Sequence, residues 1–140
     1  MHHKHLNPPT LPDWSSMFSQ IVLTEKNGLK FVHVSGQVGV DRDKKLAGDG
    51  SLGAQTRQAL VNLQAALGSV DASVGDVVKL TIYVVAYQYE HAAIIREALR
   101  AVFPPEQLPA LSLLGVAALA DPQFLIEIDA EVVGEITTNE

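Results

Sequence analysis

The alternation of apolar and polar residues is clearest near the end of the chain. In residues 124–133, Ile126, Ile128, Ala130 and Val132 point one way, and Glu127, Asp129 and Glu131 point the other. That is the period of a strand with one face in a core. Before it, residues 110–116 form a second apolar strand, and Asp121-Pro122 marks the turn between the two. The strongest strand signal is 77–86, with Val78, Leu80, Ile82 and Val84 on one side and Lys79, Thr81, Tyr83 and Val85 on the other. Two apolar runs, 18–24 and 29–35, flank Glu25-Lys26-Asn27-Gly28, and Asn-Gly predicts a hairpin. Ser35-Gly36-Gln37-Val38-Gly39-Val40 follows, where a strand glycine signals a bulge or a close backbone approach.

Helical spacing appears twice. Over 53–67, Leu60, Leu63 and Leu67 share a face; Ser51 suits the N-cap and Gly68 the stop. Over 89–103, Ile95, Leu99 and Val102 form a stripe that Pro104-Pro105 ends. The order is two strands, helix, strand, helix, two strands. It predicts an α+β sandwich: a mixed sheet, partly built of hairpins, with both helices on one face. Two short helices leave the other face bare. Val85, Val133, Leu113 and the valine-rich strands leave apolar side chains on both faces, so a partner is expected, most simply copies of the same chain.

Composition narrows the function. The 140 residues suit one domain, read as an N-terminal arm over 1–16, a body over 17–134 and a C-terminal tail over 135–140. A net charge of −6 argues against a phosphate-backbone partner, so no nucleic acid is expected. Cysteine is absent, which excludes disulfides, thiol catalysis and cysteine-ligated zinc. No apolar run reaches membrane length and no signal-peptide core is visible, so a soluble cytoplasmic protein without membrane contact is expected. His2, His3 and His5 cluster in the arm, but such terminal clusters are mostly incidental, and no metal site is assigned. Trp14 is the expected anchor of the arm. His33, alone in a strand, is given no catalytic role.

Candidate chemistry centres on Glu127. A row of three carboxylates on a strand this apolar is ordinarily a solvated face. The sharper reading puts Glu127 in a cleft against a small polar ligand.

Several ordered stretches point further. They are Phe18-Ser19-Gln20, Ser35-Gly36-Gln37, residues 55–63 (QTRQALVNL), residues 75–84 (GDVVKLTIYV), Pro109-Ala110 and Glu127-Ile128-Asp129-Ala130. Together, over about 17–133, the chain resembles the Rid (reactive intermediate deaminase, YjgF-like) family. The resemblance implies a chorismate-mutase-like fold and a homotrimer with its sheets around a central β-barrel and its helices outside. It implies small-molecule clefts between subunits, hydrolysis of enamines and imines such as 2-aminoacrylate to 2-oxo acids and ammonia, and no cofactor. By resemblance, Glu127 is the catalytic carboxyl, and Phe18, Ser35, Gly36, Leu111 and Ser112 line the substrate site. Two positions depart from the family pattern. Leu111 stands where deaminase members carry the arginine that grips the substrate carboxylate, and Phe18 stands where a tyrosine is usual. Losing such a charge-assisted contact costs about 2–5 kcal/mol. Arg57 or Arg96 could compensate from another subunit. Two readings follow: a hydrolase of imine-like molecules less acidic than the usual substrates, or a non-catalytic metabolite binder. A third, a ribonuclease or translation inhibitor, is the weakest on charge.

Overall fold

A computed structural model describes residues 1–137. Ten residues with one alternating face make the longest strands, and these sit mid-sheet. The strands are β1 (His3–Leu6), β2 (Ile21–Lys26), β3 (Leu29–Val38), β4 (Val77–Val85), β5 (Ala110–Val116) and β6 (Ile126–Glu135). They form one mixed sheet in the order β1-β2-β3-β6-β4-β5, in which only β4 and β5 run parallel. Two helices, α1 (Leu52–Ser69) and α2 (His91–Arg100), carry the crossovers and cover one face. The expected α+β sandwich is therefore present. No helix among the described residues is long and apolar enough to cross a membrane.

The core lies between the helices and that face. Leu60, Leu63 and Leu67 of α1 and Ile95 of α2 pack with Leu80, Ile82 and Val84 of β4 and with Ile126, Ile128, Ala130 and Val132 of β6. Glu127, Asp129 and Glu131 point to the uncovered face, as their alternation requires. The hairpin turn places Asn27 and Gly28 at φ of 54° and 78°, the left-handed pair a two-residue turn needs.

Several expectations change. Residues 1–16 are not simply an arm: β1 pairs antiparallel with β2, and Leu11, rather than Trp14, sinks into the core. Trp14 is half-buried under the Lys44 ammonium, 4.5 Å from its ring centre. The last two strands are not neighbours, because β4 lies between them. The α2 crossover sets β5 parallel to β4 on its outer side, and the chain then returns past β4 to reach β6. In β4 a bulge between Val77 and Lys79 turns Val78 outward and seats Val77 inward. Helix α1 also continues past Gly68 to Ser69 and stops before Asp71, whose φ is 54°. Helix α2 is shorter than its apolar stripe suggested, ending at Arg100. Of the expected C-terminal tail, Glu135 ends β6, and residues 138–140 lie outside the described residues.

Candidate functional site

The site begins at an irregularity in β3. Pairing with β6 is regular up to Val34↔Ala130, then slips before resuming at Gln37↔Ile128 and Val38↔Glu127. Ser35 and Gly36 occupy the slip. Gly36 has no side chain, and the Glu127 carboxyl fills the space its Cβ would take. A bulge and a close approach thus coincide at one glycine.

Hydrogen bonds to the preceding loop hold the bulge. The Ser35 hydroxyl donates to the Ser19 carbonyl at 2.6 Å, and the Ser35 amide donates to the Gln20 carbonyl at 2.9 Å. Beneath, buried Gln37 donates to the Gln20 side chain at 2.8 Å, and Gln20 donates to the Pro12 carbonyl at 3.0 Å. Phe18 lies just before this network, 39% exposed, with its amide on the Trp14 carbonyl. The start of β6 is held from α1. Buried Gln55 accepts from the Leu125 amide and donates to the Gln123 and Gly50 carbonyls, each at 2.9 Å. Gly39 lets β3 approach this glutamine.

The Glu127 carboxyl is half-buried and accepts no hydrogen bond from the described residues; the nearby Tyr83 hydroxyl goes to Asp129 instead. Burial, and next the charge of Asp129, hold its carboxyl above the usual carboxylate range. Across the strand pair lies Tyr83, whose hydroxyl donates to Asp129 at 3.1 Å. Burial, that hydrogen bond and the two carboxylates push the phenol up. A carboxyl that retains its proton more readily than usual, half-buried against the bare backbone of Gly36, can give and take a proton.

The other expected site residues lie apart from Glu127. Leu111 pairs with Leu80 and faces the helix side, in a groove of about 410 Å³ between β5 and α2. Ser112 faces the uncovered side, where its hydroxyl accepts from the Lys79 ammonium at 2.8 Å. It stands two strands and one alternate residue from Glu127, about 12 Å by strand spacing. One chain thus gathers Ser35, Gly36 and Glu127, with Phe18 next to the loop that carries Ser35, and leaves Leu111 and Ser112 on the edge strand. Arg96 shares the groove with Leu111, whereas Arg57 packs beside Gly53 on α1. His33 contacts Glu131 across the strand pair, on the uncovered face.

Sequence reasoning missed the fixing roles of Gln20, Gln37 and Gln55. The signal was present, since each is a glutamine amid residues that must be buried.

A mixed sheet with two helices on one face, and a bulge that admits a carboxyl from the adjacent strand, defines the class. The family described as Endoribonuclease L-PSP matches residues 11–133. The chain belongs to that family, the Rid or YjgF-like proteins. Its structure is similar to that of the Rid protein YyfB of Yersinia pestis, at 36% identity over 94% of this chain and 98% of that one, with a TM-score of 0.71. It is also similar to RidA of a Psychrobacter species, at 25% identity over 92% and 98% with a TM-score of 0.77. A Mycobacterium tuberculosis member of the YjgF/YER057c/UK114 family matches at 26% identity over 94% and 98%, with a TM-score of 0.69. Comparison with curated protein sequences gives no match.

Proposed function

We propose that three copies of this chain assemble through their uncovered sheet faces, and that a small metabolite binds in each seam and is hydrolysed there. The substrate would be an enamine or imine, and the products a carbonyl compound and ammonia. The observation that carries this reading is the Glu127 carboxyl, half-buried, free of hydrogen bonds from the described residues, and seated on Gly36. Its raised proton affinity suits it to protonate an enamine carbon or imine nitrogen. The carboxylate so formed then takes a proton from the water that adds to the C=N carbon. Collapse of the carbinolamine breaks the C–N bond, leaves the carbonyl and expels ammonia once the nitrogen is protonated. Ser35 and the backbone at Gly36 would line the cleft, with Phe18 at its edge. Ser112, which faces the uncovered side, would come from the neighbouring copy, and Leu111 would meet the seam only at the free edge of that copy's β5, which suits their distance from Glu127 within one chain.

Leu111 favours a second reading, a binder that does not turn its ligand over. No guanidinium follows Pro109-Ala110 to grip a substrate carboxylate. The family's description also names an endoribonuclease, but a net charge of −6 gives little support to RNA binding here. Ammonia release from freshly generated imines decides between the first two. Release that disappears in Glu127→Gln supports hydrolysis. Absence of release across an imine panel, with a competent deaminase as control, leaves the binder. Leu111→Arg assayed with 2-aminoacrylate tests whether the remaining site can serve an anionic substrate.

A further inference from the structure

The groove that holds Leu111 has a composition of its own. Phe103, Leu108, Leu111 and Leu113 wall it, and Arg96 and Arg100 stand on its α2 side. The two arginines are one helical turn apart and so share a face. Both are exposed, and neither makes an ion pair or a side-chain hydrogen bond among the described residues. Leu108 and Leu111 are 59% and 43% exposed, so apolar surface and unpaired cations meet at one opening. In a chain of net charge −6 this is a local reversal of sign. A guanidinium pair beside an apolar wall complements an anion with a greasy body.

We propose that this groove binds monocarboxylates with an apolar body of six or more carbons, the carboxylate held by Arg96 and Arg100 and the chain lying along Leu111 and Leu113. The cation absent at position 111 is thus supplied from α2, and the leucines select size. This rests on the reading of Leu111 as a ligand-facing position, and it narrows the substrate or ligand class to apolar acids.

Isothermal titration calorimetry of the full chain tests it with octanoate, beside butyrate, octanamide and inorganic phosphate. Octanoate is expected to bind at least about tenfold more tightly than each of the other three, since butyrate and phosphate lack the body and octanamide lacks the charge. Arg96→Ala should weaken octanoate at least about tenfold, with Arg96→Lys between. Both positions are exposed on a helix, so the variants should fold. Leu113→Trp, which fills the groove, should abolish binding. Equal affinity for octanamide, or unchanged affinity in the Arg96→Ala/Arg100→Ala double variant, overturns the proposal. So does absence of octanoate binding, including the case in which a second copy of the chain occupies the groove. Ammonia release is scored separately. Turnover without octanoate binding overturns this inference alone, and octanoate binding without turnover sustains it while removing hydrolysis.

Discussion

The carboxyl group of Glu127 occupies the volume that a side chain at Gly36 would need. One residue's missing Cβ is therefore another residue's seat. In Gly36→Ala the clash falls on the end of a flexible side chain, which can swing aside. Stability should change by less than about 1 kcal/mol, while Glu127-dependent turnover or ligand binding falls at least about tenfold. Urea denaturation and ammonia release, run on the same preparation, check both halves.

Gly39 gives the contrasting case. A Cβ there would lie 2.6 Å from the Gln55 Cα, which is backbone of a packed helix. Nothing can move cheaply, so Gly39→Ala should destabilise the fold by about 1–3 kcal/mol. A urea midpoint equal to that of the parent chain would mean that β3 and α1 are not in the contact described.

Gln55 ties three backbone groups of two loops to α1. Gln55→Leu keeps the bulk, removes all three hydrogen bonds and strands the Leu125 amide. A loss of about 2–4 kcal/mol is expected. Amide exchange should also quicken around 121–125, because that turn loses its link to the helix. Unchanged exchange there would show that Asp121, whose side chain accepts from the Gln123 amide at 2.8 Å, holds the turn alone.

Much of this was legible from period alone. The β6 alternation assigns Ile126, Ile128, Ala130 and Val132 to the core and Glu127 to the other face without any structure. Three things were hidden, each for a physical reason. Strand β1 reads His-Lys-His-Leu, with no apolar alternation, because it pairs at an edge where Leu6 alone packs against the core. The β4 bulge exchanges Val77 and Val78, and a run of like residues cannot announce a one-residue slip. Period two separates Leu111 from Ser112, but which of them meets the helices depends on where the α2 crossover sets β5. The outward placement of Glu127 was therefore readable, and the distance between it and the edge strand was not.

The uncovered sheet face carries Phe31 beside Val133, with His33 and Glu131 next along the strands. If copies of the chain meet there, a charge at Phe31 lies in the seam. Phe31→Asp should convert a trimer to monomers with the far-ultraviolet circular dichroism intact, as read by light scattering after size exclusion. A parent chain that is already monomeric at micromolar concentration would remove the seam, and with it the joining of Leu111 and Ser112 to Glu127.

The raised proton affinity of Glu127 carries a sign for stability. Its folded pKa lies above its ordinary value of 4.5, through burial first and Asp129 second. Between those two values the folded chain holds a proton that the unfolded chain has released. Stability from this group is complete below the unfolded pKa, declines as pH rises through that window, and stays reduced above the folded pKa. Gln at this position is neutral at every pH and nearly isosteric. Glu127→Gln should therefore gain stability over the parent as pH rises from 4 to 7, with the two chains closest at the acid end. Urea midpoints taken at half-unit steps of pH measure the difference. A gap that widens toward acid instead would mean that the carboxylate is stabilised in the fold, and a proton-donating role for Glu127 would lose its physical basis.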